Sequence, residues 1–189
     1  MQSDNLMEDI AEILITPEEL KARVAELGAQ ISADYAGKNP LLVGVLRGVF
    51  VFMADLVRAI TIPIGVDFIG ITSYDPTSRD RGVVRFTKDL EVCIEGRHVL
   101  FVEDVIDTGL TLRYILRSLS TRRPASLRVC VLFDKPRVRL FDLRIDYTGF
   151  VLPDKFVVGY GLDYHEQYRN LPFVGVLKKD AIARGNQSF

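Results

Sequence analysis

Four short apolar runs constrain the fold of this chain more than any other feature. A predicted helix lies between the first and second runs, and another lies between the third and fourth. Two of the runs, residues 41–46 and 98–102, have the length and composition of buried strands. Residues 49–60 and 110–119 are predicted to be helical. The alternation of strand and helix predicts an α/β fold with a parallel sheet and helices on both of its faces. The predicted strands are residues 41–46, 64–71, 98–102 and 126–133.

An earlier helix is predicted to begin at Thr16. Its hydroxyl can cap the helix, Pro17 suits the first helical position, and Glu19 completes a capping box. Apolar residues then recur at helical spacing, which predicts one buried face. These residues are Leu20, Val24, Leu27 and Ile31.

Length and charge indicate one ordinary globular domain. The chain has 189 residues and a net charge of −1, which fits a single domain of residues 1–189 and gives no argument for nucleic-acid binding. The N-terminus is acidic where a signal peptide would be basic. The most apolar long segment, residues 41–60, contains Arg47, Asp55 and Arg58, which argues against a membrane span. We therefore expect a cytoplasmic protein without nucleic-acid or membrane partners.

Three further features have less specific interpretations. Cys93 and Cys130 lack a C-x-x-C spacing, so we expect two buried free thiols in a reducing compartment. Residues 73–82 form a long polar stretch, for which a mobile lid and a surface excursion are about equally plausible. Residues 83–87 are a possible strand that could form a flap with the segment around Val92.

The stretch VLFVEDVIDTGLT, residues 99–111, contains the strongest chemical pattern in the chain. Glu103 and Asp104 follow directly after a predicted strand, and open α/β sheets bind ligands at the carboxyl ends of strands. The turn from Asp107 to Thr111 leads into the next helix, whose first amides favour an anion. Gly109 permits close approach, and no Gly-Lys-Ser/Thr follows, so the turn is not a Walker A loop.

Capping of the helix by Asp107 or Thr108 would explain one of these residues, but not the two acids before them. Adjacent carboxylates repel a phosphate unless a divalent metal or sugar hydroxyls bridge them. The 2′- and 3′-hydroxyls of a ribose could donate to Glu103 and Asp104. The pattern therefore predicts a ribose 5-phosphate unit that lies across the end of the strand.

The same stretch resembles the phosphoribosyl-pyrophosphate binding motif of the type I phosphoribosyltransferases. Other segments are similar to the 6-oxopurine branch of that family, the hypoxanthine-guanine phosphoribosyltransferases, and the resemblance spans roughly residues 15–177. Those segments are LVGVLRGVFVFMADL, SYDP, FDKP and DKFVVGYGLDYHEQYRNLPFVGVL.

The resemblance implies a fold and a reaction. The fold is a twisted parallel sheet flanked by helices, with a core of about residues 35–135. A small hood would be formed by the N-terminal residues and about residues 136–189. The reaction is transfer of a 5-phosphoribosyl group from phosphoribosyl pyrophosphate to a 6-oxopurine base, which gives a purine nucleotide and pyrophosphate with Mg²⁺ as cofactor.

The resemblance also implies a role for each residue of the motif. Asp107 is expected to face N7 of the purine as the catalytic acid–base group, and Asp163, with Glu103 and Asp104, to be near magnesium. Residues of the ribose and phosphate subsite are Glu103, Asp104, Thr108, Gly109, Leu110 and Thr111.

Residues outside the motif are assigned in the same way. Lys135 would donate to the purine O6, which selects a 6-oxo over a 6-amino group, and Phe156 would stack on the base. Val157 and Asp163 complete the expected purine region. Arg47, Gly48 and Arg169 would contact pyrophosphate, in a loop whose Arg47–Gly48 peptide is often cis. Ser73 and Tyr74 would belong to the lid.

The chain departs from its relatives at Leu110 and Arg47, where they often have lysine. Because backbone amides do most of the phosphate binding, we expect little loss from Leu110. Two alternative functions stay open: a nucleotide-sensing regulator that binds RNA, and a phosphoribosyltransferase for another base, such as xanthine or uracil. A homodimer or homotetramer is expected, because relatives assemble through the region near Arg47.

Overall fold

The computed structural model describes residues 6–73 and 84–185. They form nine strands, four helices and two short 3₁₀ turns, Leu6–Asp9 and Pro136–Val138. The strands are β1 (Ile10–Ile15), β2 (Leu41–Leu46), β3 (Gly65–Ser73), β4 (Val84–Lys88), β5 (His98–Ile106), β6 (Ser126–Asp134), β7 (Tyr147–Val151), β8 (Val157–Val158) and β9 (Val174–Leu177). The helices are α1 (Pro17–Asp34), α2 (Phe50–Ala59), α3 (Leu110–Ser120) and α4 (Lys179–Gly185).

The larger sheet has six strands in the order β4-β3-β2-β5-β6-β7. Each neighbouring pair is parallel except β3 and β4, which are antiparallel. The predicted parallel sheet is therefore confirmed. The observed bounds of β2, β6, α2 and α3 lie within one residue of the predicted ones.

Helices cover both faces of this sheet, as predicted. On one face, Leu20 of α1 and Phe52 of α2 pack in the same buried cluster as Leu100 of β5. On the other face, Ile115 of α3 packs with Phe101 of β5. Successive side chains of a strand point to opposite faces, so burial on both sides explains why the central strands are continuous apolar runs.

The start of α1 agrees with its prediction. Thr16 Oγ1 accepts from the Glu19 amide at 3.2 Å, and the Glu19 carboxylate accepts from the Thr16 amide at 2.8 Å. This reciprocal arrangement satisfies two amides that the first turn leaves without helical partners. The predicted core positions of α1 are all buried: Leu20, Val24, Leu27 and Ile31.

The apolar segment 41–60 is divided between two elements. β2 has 6 residues and α2 has 10. A membrane-spanning helix needs about 20 apolar residues. Within residues 6–73 and 84–185, no helix has both the length and the apolarity that crossing a membrane requires.

A smaller antiparallel sheet has the order β1-β9-β8. It joins the N-terminal part of the chain to its C-terminal part, the two regions from which the hood was expected. β7 also falls within residues 136–189, but it pairs with β6 in the larger sheet. β1 was not predicted, because it is an edge strand with only Ile15 buried and so has no clear alternation.

Two smaller predictions are wrong. β4 does not form a flap with the segment around Val92, because it pairs with β3, where Phe86 lies opposite Ile71. The Val92 amide instead donates to the Asp67 carboxylate at 3.4 Å. Cys93 is exposed rather than buried, since it lies in the turn before β5, whereas Cys130 of β6 is buried.

Candidate active site

Glu103 and Asp104 lie inside β5, so the prediction that they directly follow the strand is wrong. Pairing of β5 with β6 continues as far as Ile106, whereas its pairing with β2 stops at Val102. The two acids therefore lie past the last residue that β2 pairs with. This position is still at the carboxyl edge of the sheet, where α/β proteins bind ligands.

Both acids are poorly solvated. Burial raises the pKa of Asp104 to about 6 from its ordinary value of 3.8. Burial also raises the pKa of Glu103 well above its ordinary value, and the charge of Asp104 raises it further. Among the described residues, the buried Glu103 Oε2 atom has no hydrogen-bond partner. Because an unpaired buried acceptor is costly, the pair is suited to receive a hydroxyl donor or a cation.

The loop after β2 reaches this pair through Gly48. A Cβ atom at position 48 would lie 1.9 Å from Asp104 Oδ2, so a larger residue does not fit without movement. The cis peptide bond of this loop is Leu46–Arg47. It lies one bond before the Arg47–Gly48 peptide that the family resemblance indicated.

The turn from β5 into α3 is built around Gly109. Gly109 is the N-terminal cap residue of α3 and has a φ of +78°. Neither Asp107 nor Thr108 is the cap residue, and Thr108 Oγ1 accepts from the Leu110 amide only at 3.4 Å. A left-handed φ favours glycine, and weakly capped amides at a helix N-terminus favour an anion.

Asp107 and Lys135 follow the neighbouring strands β5 and β6 and lie close together. Lys135 Nζ is 3.4 Å from Asp107 Oδ1 and donates to the Lys155 carbonyl oxygen at 3.0 Å. The Lys135 side chain is 11% exposed and that of Asp107 is 59% exposed. A mostly buried ammonium beside an accessible carboxylate offers one donor and one acceptor to a planar heterocycle.

Phe156 and Val157 come directly after Lys155, whose carbonyl oxygen accepts from Lys135. Phe156 is 46% exposed and contacts Tyr164 edge-on, with ring centroids 5.2 Å apart. Val157 is buried in β8, opposite Val176 of β9. An accessible ring at this position can stack on a flat ligand.

Arg169 connects several residues of the segment after β8. Its Nη2 atom is 2.7 Å from Asp163 Oδ1, and its Nη1 atom donates to the Gly161 carbonyl at 2.8 Å. Burial dominates the pKa of Asp104, but the charge of Arg169 lowers it and that of Asp163 raises it. The charges of Arg169 and Asp163 therefore act on the acid pair of β5.

Glu166 belongs to the site but was not predicted. Its Oε1 atom is 2.7 Å from Arg47 Nη2, and its Oε2 atom is 3.7 Å from Arg169 Nη2. One carboxylate thus pairs with two arginines from separate loops. Glu166 lies within the DYHEQYR segment, but nothing in that spacing shows a contact with Arg47, 119 positions earlier.

The predicted residues form two groups joined by the end of β5. One group surrounds Gly48 and Asp104 and includes Asp163 and Arg169. The other group surrounds Lys135. Of the lid residues, Ser73 is the last residue of β3, and Tyr74 lies outside the described residues.

The acids of β5 can contribute to a magnesium site but do not form a complete one by themselves. In the described ranges, no three His, Cys, Asp or Glu side chains are placed to hold a metal ion by themselves. Magnesium often takes only one or two protein carboxylates and fills its shell with water and substrate phosphates. Glu103 Oε2, without a partner, and the nearby carboxyl of Asp104 fit a magnesium ion that arrives with a phosphate ligand.

The sequence matches a family model described as "Phosphoribosyl transferase domain" over residues 10–165. It is 47% identical over 179 residues to a hypoxanthine-guanine phosphoribosyltransferase of Streptococcus agalactiae, with 95% of this chain and 99% of the relative covered. A protein of the same name from Bacillus subtilis is 46% identical over 170 residues, with 90% and 94% covered.

Solved structures give the same result. A hypoxanthine phosphoribosyltransferase from Staphylococcus aureus matches with a TM-score of 0.89 at 42% identity, covering 95% of this chain and 98% of that one. A hypoxanthine phosphoribosyl transferase from Trypanosoma cruzi matches with a TM-score of 0.91 at 40% identity, covering 96% and 98%. The chain therefore belongs to the phosphoribosyltransferase family, and within it to the hypoxanthine-guanine phosphoribosyltransferases.

Proposed function

We propose that this protein is a purine salvage enzyme. It transfers the 5-phosphoribosyl group from phosphoribosyl pyrophosphate to N9 of hypoxanthine or guanine, and the products are IMP or GMP and pyrophosphate. Its family membership supports this reaction. The single observation that carries it is the position of Asp107, between the acid pair and the Gly109 turn in the chain and 3.4 Å from the ammonium of Lys135.

The end of β5 binds the phosphoribosyl group. Glu103 and Asp104 accept hydrogen bonds from the 2′- and 3′-hydroxyls, which supplies the partner that Glu103 Oε2 lacks among the described residues. Backbone amides of the turn from Thr108 to Thr111 bind the 5′-phosphate, with help from the helix dipole. Because these donors belong to the backbone, Leu110 can replace the lysine of relatives.

The edge of the purine that carries N7 and O6 faces Asp107 and Lys135. Asp107 accepts a hydrogen bond from N7 and takes its proton as N9 attacks C1′. Lys135 donates to O6, Phe156 stacks on the ring, and Val157 offers backbone groups to its edge. An adenine would present an amino donor to the Lys135 ammonium, so two donors would face each other.

Pyrophosphate leaves toward Arg47, the Gly48 amide and Arg169. Glu166 pairs with both arginines, so pyrophosphate must compete with it for these cations. Asp163, with Glu103 and Asp104, lies where magnesium would be held. When bound, magnesium stabilises the charge that develops on the leaving group. The assignment of Ser73 and Tyr74 to a lid stays a prediction, because the residues that follow Ser73 lie outside the described ones.

Product formation tests this function. The purified protein, supplied with guanine or hypoxanthine, phosphoribosyl pyrophosphate and Mg²⁺, should form nucleotide and pyrophosphate in equal amounts, and excess EDTA should stop the reaction. Nucleotide binding without any turnover would contradict the proposal and favour the regulatory alternative. Equal or faster turnover of xanthine would replace the proposed base preference.

Replacement of Lys135 tests the purine contact. Lys135→Ala should raise the KM for guanine by about 10- to 100-fold, since hydrogen bonds to charged groups contribute roughly 1.5–3 kcal/mol. The KM for phosphoribosyl pyrophosphate should stay near the wild-type value. Both constants come from initial rates with one substrate varied at a time.

Lys155→Met is the matched control for this substitution. It removes the neighbouring ammonium and its pairing with Glu12, but it retains the carbonyl that accepts from Lys135. The control should leave the KM for guanine near wild type. If Lys135→Ala raised the KM for guanine and the KM for phosphoribosyl pyrophosphate equally, this would argue against a contact with O6.

We also infer a homodimer or homotetramer in the cytoplasm. A cavity of about 880 Å³ lies between α1, α2 and residues 166–172, and Phe50 at its edge is 46% exposed. Exposed apolar surface of this kind commonly marks an association site.

The cytoplasmic location is supported by Cys93 and Cys130, which are both free thiols, as is usual in a reducing compartment.

A further inference from the structure

The Gly109 turn is contacted by residues 139–143, which lie in a later part of the chain and are here called the buttress segment. The Leu140 amide donates to the Thr108 carbonyl at 3.0 Å. A Cβ atom at Gly109 would lie 2.8 Å from Leu143 Cδ1, so this side chain packs directly against the left-handed residue of the turn. The buttress segment thus contacts the turn through both backbone and side chain.

Arg139 anchors the buttress segment to the end of β6. Its Nη2 atom forms an ion pair with Asp134 Oδ1 at 2.5 Å, and the two side chains are only 16% and 11% exposed. The contact is an ion pair without hydrogen-bond geometry, since among the described residues neither Asp134 Oδ1 nor Arg139 Nε has a hydrogen-bond partner. Its Nη1 atom donates to the Leu143 carbonyl at 3.3 Å. One guanidinium therefore ties both ends of the buttress segment to Asp134, the residue before Lys135.

A second contact ties the same segment to the start of α3. The guanidinium of Arg113 lies over the ring of Phe141, 4.3 Å from its centroid. Leu143 also packs against the buried cluster that contains Leu112 of α3. These contacts place the buttress segment between α3 and the end of β6. Its position relative to the turn is therefore set from two sides, and Arg139 supplies the contact with the end of β6.

The Gly109 turn needs such support for a physical reason. Its cap residue has no side chain, and among the described residues its one side-chain contact to a helical amide is the long bond from the Leu110 amide to Thr108 Oγ1. Glycine also has wide conformational freedom, so the turn does not fix its own geometry. Amides bind an anion well only when they are held in place before it arrives.

We propose that Arg139 is a positioning residue for the 5′-phosphate. By anchoring the buttress segment on Asp134, it holds the Thr108–Gly109 backbone in the conformation that binds phosphate. This role deepens the proposed function and rests on it. The guanidinium acts through the turn and is not itself a phosphate ligand, because its charge is already paired with Asp134 in a mostly buried position.

Binding of GMP and of guanosine separates this role from general stability, because the two ligands differ only in the 5′-phosphate. Isothermal titration would give both dissociation constants for wild type and for Arg139→Met. The guanosine-to-GMP ratio of these constants should fall about tenfold in the variant, as expected for loss of roughly one good hydrogen bond to a charged phosphate. The guanosine constant itself should change little.

Two further variants make the result decisive. Arg139→Met alone leaves Asp134 buried without its cation, which is strongly destabilising, so the double variant Asp134→Asn/Arg139→Met is measured beside it. Arg23→Met is the matched control, since Arg23 also ties elements together by donating to the carbonyls of Thr148 and Gly149, away from the turn. The guanosine-to-GMP ratio of dissociation constants should fall in the double variant as it does in Arg139→Met. In Arg23→Met this ratio should stay at the wild-type value.

The outcomes are distinguishable. A wild-type protein that forms no nucleotide would overturn the proposed function. A wild-type protein that turns over, together with an unchanged ratio in the double variant, would overturn the role of Arg139 alone. If the guanosine-to-GMP ratio fell as much in Arg23→Met as in the double variant, this role would also be overturned, because a general loss of stability would then explain the effect.

Discussion

Asp107→Asn should lower kcat by about 10²- to 10⁴-fold, the range associated with general acid–base groups. The asparagine keeps the size of the side chain and can still accept a hydrogen bond, but it cannot take the N7 proton. Donor binding should stay near the wild-type level, because the ribose and phosphate contacts lie elsewhere on β5 and its turn. Steady-state rates and donor titration measure the two effects separately.

Asp154→Asn is the control for the Asp107 substitution. Asp154 is an exposed aspartate in the turn between β7 and β8, and its substitution should leave kcat unchanged. An unchanged kcat in Asp107→Asn would remove Asp107 from the acid–base role. A parallel loss of donor affinity would instead assign it to donor binding.

Asp104→Asn should nearly abolish donor binding and stabilise the empty protein at the same time. The substitution removes a carboxylate that accepts from ribose and attracts magnesium, so donor affinity should fall about 100-fold or more, as expected when a hydrogen bond to a charged group is lost together with a cation contact. Titration with the donor and Mg²⁺ measures this loss.

The stabilisation follows from the raised pKa of Asp104. The folded pKa of about 6 exceeds the ordinary 3.8, and roughly 2 pKa units correspond to about 3 kcal/mol as an upper estimate. The folded state binds more protons between these values, so the penalty is absent below pH 3.8, grows up to about pH 6 and is constant above it. Asp104→Asn should therefore be more stable at pH 8, and its advantage should vanish toward pH 4 in urea unfolding.

Asp67→Asn provides a matched contrast, because Asp67 is also a buried aspartate. Burial opposes its charge, but hydrogen bonds from three backbone amides and the charge of Lys88 outweigh this effect and lower its pKa. Its stabilisation is present above the ordinary pKa and is lost as pH falls through the lowered one. Asp67→Asn should destabilise the protein at pH 8. A change in the free energy of unfolding with the same sign in Asp67→Asn and Asp104→Asn would contradict this explanation.

The parts of the fold that local patterns determine were predictable. The capping box at Thr16 and the apolar run of β2 depend on neighbours in the sequence. The extent of β5 was not predictable, because its last residues are ordered by pairing with β6. β1 was missed for the same reason, since its partner β9 lies more than 150 positions away and supplies the hydrogen bonds.

The site divides in the same way. The acids, the turn and Gly109 lie within one stretch of the sequence, so their chemistry could be derived from it. The roles of Lys135 and Phe156 came only from family resemblance, because an isolated lysine after a strand carries no distinguishing pattern. Glu166 and Arg139 could not have been found, since each acts by pairing with residues of another loop or strand end.

Selection of a 6-oxopurine for phosphoribosyl transfer is the property that defines this site. The most direct test is the kcat/KM of the wild-type protein for hypoxanthine, guanine, xanthine and adenine, with phosphoribosyl pyrophosphate and Mg²⁺. Hypoxanthine and guanine should be turned over rapidly, and adenine should be slower by about 10⁴-fold, because a site that pairs a buried polar group with its substrate strongly rejects a mismatch. Comparable turnover of adenine, or no turnover with any of the four bases, would contradict this prediction.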